Sequence, residues 1–217
     1  MKACLFDLDG VIVDTAKYHF VAWRKLANDL GFDFTESDNE KLKGVSRADS
    51  LDLILGWGGV HKSDAEKQAL MAHKNDRYLE YIHQMTSAEI LPGVLDLIAE
   101  LEEKGIRIAL GSASKNAPLI LRQTGLFDRF NAIIDGSMTT QGKPHPEVFL
   151  KGAQALGVAP EACIVFEDAA KGIEAALAGG MYAVGIGEPE SLGAAHLVIP
   201  SFADWNWEKL LAALKIS

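Results

Sequence analysis

The chain has 217 residues, of which 48% are hydrophobic and 24% are charged, which indicates a folded protein with one large core, or one core and a small appendage. The formal net charge of −9 argues against broad binding to nucleic acid or to anionic membranes, because both require a basic surface. Asp7 and Asp9 interrupt the first apolar run before it could form a signal-peptide core or a membrane span, so we expect a cytoplasmic protein. Cys4 and Cys163 lie in short apolar runs and are expected to be reduced core thiols.

Short apolar runs, each followed by a helical pattern, recur along most of the chain. The runs expected to form strands are 3–6, 106–110, 132–134, 163–166 and 183–186. Pro92 in a first turn and Gly105 as a stop mark one of the helices between them. This alternation predicts an α/β fold with a doubly wound, Rossmann-like parallel sheet that is covered by helices on both faces.

The segment from residue 15 to residue 87 breaks the alternation, because it has helical patterns and no convincing strand. Thr15 is a possible N-cap of its first helix, which should stop at Gly31. Further helices are expected over 38–43, 46–55 and 65–85. A connection of about seventy residues is too long for a loop within a compact domain. We therefore expect residues 15–87 to form an inserted helical cap domain, and residues 1–14 plus 88–217 to form the α/β core domain.

Polar side chains follow the expected strands at the points where they end. They are Asp7 and Asp9 after the first strand, Ser112, Ser114 and Lys115 after the second, Lys143 after the third, and Glu167 and Asp168 after the fourth. Ligands of open parallel sheets bind at this edge. Four carboxylates there would repel one another, and a hard divalent cation such as Mg²⁺ would relieve the repulsion. Together with Lys143 and a serine hydroxyl, such a cation suits phosphoryl transfer to a carboxylate nucleophile.

Each of these features also has a purely structural explanation. The Asp9-Gly10 pair between apolar residues resembles a hairpin turn. Asp168 could be a helix N-cap, and either serine after the second strand could cap the helix that follows it. The coincidence of four carboxylates at neighbouring strand ends favours a functional site over these separate explanations.

The motifs DLDGV at 7–11, SASKN at 112–116, the Lys143-Pro144 dipeptide and the Glu167-Asp168 pair together resemble the haloacid dehalogenase superfamily. Within it, the segments 7–23 (DLDGVIVDTAKYHFVAW), 42–47 (LKGVSR) and 73–76 (HKND) are similar to those of the family that interconverts β-D-glucose 1-phosphate and glucose 6-phosphate. Gly111 stands where an alanine is more usual, and the loop before Lys143 differs in detail. The Lys143-Pro144 bond could be cis or trans.

The resemblance implies a mutase that forms an aspartyl-phosphate at Asp7 and passes through β-glucose 1,6-bisphosphate, with Asp9 as the general acid and base. A sugar-phosphate phosphatase on the same scaffold is the alternative. The catalytic residues would be Asp7, Asp9, Ser112 and Lys143, and the Mg²⁺ ligands Asp7, the Asp9 carbonyl, Asp168 and Glu167, the last either directly or through water. The expected substrate-binding residues are His19, Trp23, Lys43, Gly44, Val45, Ser46, Arg47, Lys74, Ala113, Ser114, Lys115 and Asn116.

Arg47 has the planar guanidinium that suits a second phosphate, although Lys43 and Arg47 could also form a solvated helix face. His19 could likewise be a packing histidine. The expected partner is a small sugar phosphate, with neither nucleic acid nor a membrane, and the protein is expected to be a monomer.

Overall fold

The computed structural model describes residues 1–216, and its centre is a six-stranded sheet. The strands are β1 (Ala3–Phe6), β2 (Arg107–Gly111), β3 (Ala132–Ile134), β4 (Cys163–Glu167), β5 (Tyr182–Ile186) and β6 (Leu197–Ile199). Every neighbouring pair is parallel, and the strand order is β3-β2-β1-β4-β5-β6. The predicted doubly wound parallel sheet is confirmed, and β1 lies where the strand order reverses, which is the usual ligand position of such sheets.

The register of the central strands brings the polar residues to one edge. Phe6 lies opposite Leu110 of β2 on one side and opposite Phe166 of β4 on the other. The next residues of the three strands, Asp7, Gly111 and Glu167, therefore lie side by side at this edge of the sheet. Strands β1 and β4 are buried along their whole length, as the continuous apolar runs of a sheet covered on both faces require.

The first four helices of the chain come directly after β1. They are α1 (Ala16–Asp29), α2 (Glu36–Glu40), α3 (Arg47–Trp57) and α4 (Asp64–Ile82). The hydroxyl of Ser63 begins α4 by accepting from the Glu66 N–H in a capping box. A separate hydrophobic cluster that includes Trp23, Leu26 and Ile54 holds these helices together. The predicted inserted helical cap is confirmed, and we call the segment α1–α4 the cap.

The remaining helices cover the two faces of the sheet. They are α5 (Val94–Glu103), α6 (Ala117–Gln123), α7 (Glu147–Leu156), α8 (Ala170–Ala178), α9 (Pro189–Leu192) and α10 (Trp207–Leu214), with short 3₁₀ turns at Ser87–Glu89, Phe127–Arg129 and Pro160–Ala162. Helices α5, α6 and α10 pack on the face that contains Phe6. Helices α7 and α8 pack on the face that contains Leu5, so successive residues of β1 belong to different layers.

Two sequence expectations need correction. Strand β6 was not expected from the sequence. Helix α5 begins at Val94 rather than with Pro92 in its first turn. Gly93 has a φ of +81°, and a Cβ there would overlap the backbone of Phe202, so the chain enters α5 through a turn that only glycine fits.

Three further observations concern features raised by the sequence. Cys4 and Cys163 are free and buried, as predicted, and pack in different layers. The Lys143-Pro144 peptide bond is cis. No helix within residues 1–216 is both long enough and apolar enough to cross a membrane. Ser217, the last residue of the expected core domain, lies outside the described residues, and the domain boundaries at 15 and 87 stay predictions.

Candidate active site

The deepest part of the site is a buried cluster of two carboxylates and a lysine. Lys143 Nζ donates a hydrogen bond to Asp7 Oδ1 at 2.6 Å and lies 3.3 Å from Glu167 Oε1. All three side chains are almost completely buried. Burial alone would lower the pKa of Lys143, but the Asp7 and Glu167 carboxylates outweigh it and raise that pKa. The Lys143 ammonium is therefore a fixed positive charge beside Asp7.

Asp7, Glu167 and Asp168 form a group that could hold a cation, since one oxygen of each lies within 4.8 Å of the others. Burial raises the pKa of Glu167 well above its usual range, and burial together with Asp7 raises the pKa of Asp168 to about 7. A hard divalent cation would keep these oxygens ionised, and carboxylates are the ligands it prefers. Gly10 has a φ of +79°, and a Cβ there would overlap the Asp168 side chain. The backbone at Gly10 therefore lies so close to the Asp168 carboxylate that only glycine fits there.

Asp9 lies next to this group and has a different environment. The Thr15 hydroxyl donates a hydrogen bond to Asp9 Oδ1. Burial, reinforced by the Asp7 carboxylate, raises the pKa of Asp9 to about 6, which suits a group that must both donate and accept a proton near neutral pH. Thr15 occupies the predicted N-cap position of α1, but its side chain makes no capping bond and bonds to Asp9 instead. The hairpin explanation also fails, since both neighbours of β1 are parallel to it.

The loop after β2 is shaped by its own serines. Ser112 Oγ accepts from the Ser114 N–H at 3.1 Å, and Ser114 Oγ accepts from the Asn116 N–H at 3.2 Å. Neither serine is the N-cap of α6, because that position is Asn116. Asp168 is no cap either, since Ala169 precedes α8. The bonds described leave the hydroxyl hydrogen of buried Ser112 able to donate to an anion.

Besides Lys43, the cap contributes the basic side chains of Arg47 and Lys74 to the same cavity. Lys74 is almost fully buried, with Nζ 2.9 Å from His19 Nδ1 and 4.6 Å from the ring centres of both Trp23 and Tyr78. Burial, and then the charge of Arg47, lowers the pKa of Lys74 to about 7. Burial also lowers the pKa of His19 well below its usual value. Within residues 1–216, neither cap cation forms an ion pair with a carboxylate.

The cap segment from Lys43 to Arg47 lies directly over the buried cluster. Lys43 Nζ is 2.8 Å from Glu40 Oε2 and 3.5 Å from Asp168 Oδ2. Gly44 has a φ of +69°, and a Cβ there would lie 3.7 Å from Glu167 Oε1. The cap and the core thus meet at the carboxylates.

The expected site residues are brought together. All of them line one cavity of about 840 Å³ except Lys143 and Glu167, which are buried beneath it. Lys115 is exposed at the cavity surface, and Ser46 Oγ donates to Asp49 Oδ2 at 2.7 Å as it caps α3. A substrate contact from Ser46 would therefore come most readily from its backbone.

Three residues near this cavity were not expected from the sequence. Thr15 contacts Asp9, as described above. Asn75 Oδ1 accepts a hydrogen bond from Asn116 Nδ2 at 2.9 Å and so joins the cap to the core. The Tyr78 hydroxyl is buried and has no hydrogen-bond partner in the described part of the chain. Asn75 follows Lys74 directly on α4, and Tyr78 lies one turn after Lys74. This proximity to a predicted site residue was the only sequence feature that could have indicated them.

Comparisons with known proteins agree with this arrangement. The haloacid dehalogenase-like hydrolase family model matches residues 1–180. The chain is 44% identical to a β-phosphoglucomutase of Bacillus subtilis (strain 168), over 97% of this chain and 94% of that protein. It is 31% identical to a fructose-1-phosphate phosphatase of Escherichia coli (strain K12), over 84% and 94% of the two chains. A crystal structure of a β-phosphoglucomutase from Clostridium difficile superposes with a TM-score of 0.96 at 43% identity, covering 99% of this chain and 97% of that one. The chain belongs to the haloacid dehalogenase-like hydrolase family.

Proposed function

We propose that this protein is a β-phosphoglucomutase, a Mg²⁺-dependent intramolecular phosphotransferase that interconverts β-D-glucose 1-phosphate and glucose 6-phosphate. One observation carries the proposal. The cavity that contains Asp7 and Asp9 also contains Arg47 and Lys74, two basic cap side chains that form no ion pair with a carboxylate within residues 1–216. Such cations favour a substrate with a second anionic group.

In the core, we assign the nucleophile to Asp7. An anionic carboxylate can approach an anionic phosphoryl group only if positive charge screens both. Lys143, 2.6 Å from Asp7, provides part of this charge, and the Ser112 hydroxyl can donate to a phosphoryl oxygen. A Mg²⁺ ion held by the oxygens of Asp7, Glu167 and Asp168, with the Asp9 carbonyl, would supply the remaining charge stabilisation.

Asp9 is the proposed general acid and base. It would take the proton of the attacking sugar hydroxyl when the phosphoryl group leaves phospho-Asp7, and return a proton to the leaving oxygen in the reverse step. A pKa of about 6 allows both protonation states at neutral pH. Thr15 holds this carboxylate in a defined position.

The cap decides which hydroxyl accepts the phosphoryl group. Phospho-Asp7 would donate to the 6-hydroxyl of β-glucose 1-phosphate, the 1,6-bisphosphate would turn round, and its 1-phosphate would return to Asp7. Arg47 would hold the phosphate that is not reacting, together with Lys115 and Asn116 of the core loop. The remaining predicted contacts, from His19, Trp23, Lys43, Gly44, Val45, Ser46, Lys74, Ala113 and Ser114, would surround the sugar and exclude water.

The activities named for the relatives support this proposal and also define its competitor. The β-phosphoglucomutase relatives are 44% and 43% identical over nearly the whole chain. The fructose-1-phosphate phosphatase relative is 31% identical, and a sugar-phosphate phosphatase could use the same Asp7 and Asp9. The two activities differ in whether water or a sugar hydroxyl accepts the phosphoryl group.

The deciding experiment is ³¹P NMR of the purified protein with Mg²⁺, β-glucose 1-phosphate and a trace of β-glucose 1,6-bisphosphate. We expect glucose 6-phosphate; inorganic phosphate as the main product would establish the phosphatase instead. Arg47→Ala should reduce mutase turnover about ten- to hundredfold, the worth of a charge-assisted hydrogen bond. It should leave slow aryl phosphate hydrolysis in place. Arg24→Ala is the control, because that arginine is exposed and pairs with Asp33 at the cap surface.

We further infer that the protein works as a monomer in the cytoplasm, with residues 15–87 as its cap domain and residues 1–14 plus 88–217 as its core domain. The net charge of −9 supports a small-molecule partner rather than nucleic acid or a membrane.

A further inference from the structure

Lys74 and Asn75 are consecutive residues of helix α4 whose side chains contact different parts of the protein. Lys74 lies in the cavity, whereas the side chain of Asn75 leaves the cap and meets the core. Asn75 Oδ1 accepts from Asn116 Nδ2 at 2.9 Å, and both residues are partly buried. We propose that Asn75 is a positioning residue which, through Asn116, holds the cap closed over phospho-Asp7. The inference rests on the proposed function and deepens it.

Asn116 is the end of a short series of hydrogen bonds within the core loop. Its backbone N–H donates to Ser114 Oγ at 3.2 Å, and the Ser114 N–H donates to Ser112 Oγ at 3.1 Å. The Asn75 contact therefore ties the cap to the same loop that contributes Ser112 to the cavity of Asp7. Fixing Asn116 also fixes the direction of its amide, which is one of the expected substrate contacts.

The Asn75–Asn116 bond differs in kind from the contact between Lys43 and Asp168. The latter is an ion pair at 3.5 Å, and Lys43 lies closer to Glu40 at 2.8 Å. It also ends on a carboxylate that a bound cation would require. The neutral amide pair involves no cation ligand, and the second hydrogen of Asn116 Nδ2 remains for a substrate phosphate. The Asn75 bond can persist with cation and substrate in place, when closure matters most.

Loss of this bond has a defined chemical consequence. With the cap less firmly closed, a water oxygen attacks the phosphorus of phospho-Asp7, the phosphorus–carboxylate bond breaks, and Asp9 takes the proton of the water. The products are inorganic phosphate and free Asp7 carboxylate. Because a neutral hydrogen bond is worth about a three- to tenfold change in an equilibrium, we expect the ratio of inorganic phosphate to glucose 6-phosphate to rise by that factor.

The test compares Asn75→Ala with two other variants. Asn75→Asp keeps the accepting oxygen at nearly the same volume and should restore a ratio close to wild type. Asp76→Ala is the matched control, because Asp76 is the next residue of α4 and is exposed. The product ratio is measured by ³¹P NMR, and the unfolding midpoint of each variant is measured in parallel. A ratio in Asn75→Ala equal to that of Asp76→Ala would overturn the inference.

A second measurement separates this inference from the proposed function. Hydrogen–deuterium exchange of residues 112–117 should be faster in Asn75→Ala than in the wild type and unchanged in Asp76→Ala, whatever reaction the protein catalyses. Wild-type protein that makes only inorganic phosphate would refute the mutase, and exchange would still test the cap contact. Unchanged exchange in Asn75→Ala would refute the contact even if the mutase is confirmed.

Discussion

The buried lysine of the cap allows a quantitative prediction of stability against pH. The pKa of Lys74 is about 7 in the folded protein, because burial and the charge of Arg47 lower it, and about 10.4 in an unfolded chain. Between these values the unfolded chain holds a proton that the folded chain has lost, so the free energy of unfolding rises with pH. The slope approaches about 1.4 kcal/mol per pH unit. From about pH 7.5 to about pH 9.5 the wild type should therefore gain about 2–3 kcal/mol relative to Lys74→Met, which cannot titrate.

Urea unfolding of the wild type and Lys74→Met across this pH range measures the difference directly. Lys74→Met should be the more stable protein at the lower pH, because methionine fills a similar volume between Trp23 and Tyr78 without a buried charge. The advantage should shrink as pH rises. Lys25→Met is the control, because the Lys25 side chain is largely exposed on α1. A stability difference that does not change with pH would refute the lowered pKa of the buried Lys74.

Further predictions concern the core. Lys143→Met should destabilise the protein by about 3–5 kcal/mol in urea without Mg²⁺, since it leaves buried carboxylates unpaired, and a loss below about 1 kcal/mol would contradict a buried ion pair. Asp7→Asn should give no phosphoprotein by mass spectrometry after incubation with β-glucose 1,6-bisphosphate; a phosphorylated variant would exclude Asp7 as nucleophile. Gly10→Ala should bind Mg²⁺ more weakly in calorimetric titration, because its Cβ would overlap Asp168. Gly31→Ala has a similarly strained φ in open space, so equal Mg²⁺ affinities of the two variants would argue against the site. Chelation with EDTA should abolish turnover, and activity that survives it would exclude a required metal.

The sheet and its polar edge could be predicted because short apolar runs carry a direct physical signal. A strand covered on both faces must be apolar throughout, and the first polar residue after it marks the ligand edge of the sheet. Asp7 and Glu167 were placed correctly in this way. Lys143 is different, because it reaches Asp7 from a long loop after β3 whose path no periodicity describes. Its positive charge was expected from its position after the third strand, and its contact with the transferring phosphoryl group was expected from the resemblance.

The contacts between cap and core could not be predicted in the same way. A threonine before a helix predicts a cap, yet the Thr15 hydroxyl bonds to Asp9. Asn75 has no periodic signal, because its partner lies 41 residues away and depends on how the cap sits on the core. Sequence patterns report the local environment of a residue, whereas these bonds depend on how the cap sits on the core.

The distribution of charge between the cap and the core relates the phosphoryl transfer to the choice of acceptor. The core edge has the carboxylates of Asp7, Glu167 and Asp168 around one buried ammonium, so it is short of positive charge. The cap has Arg47 and Lys74 without carboxylate partners within residues 1–216, so it is short of negative charge. A metal ion alone would satisfy the core and leave the cap cations uncompensated. A substrate with one phosphate would bring that group to Asp7 and again leave the cap unmatched. A bisphosphate bound with a metal ion satisfies both layers at once, and because it does so in either orientation, the same closed cavity can serve both phosphoryl transfers of the mutase cycle.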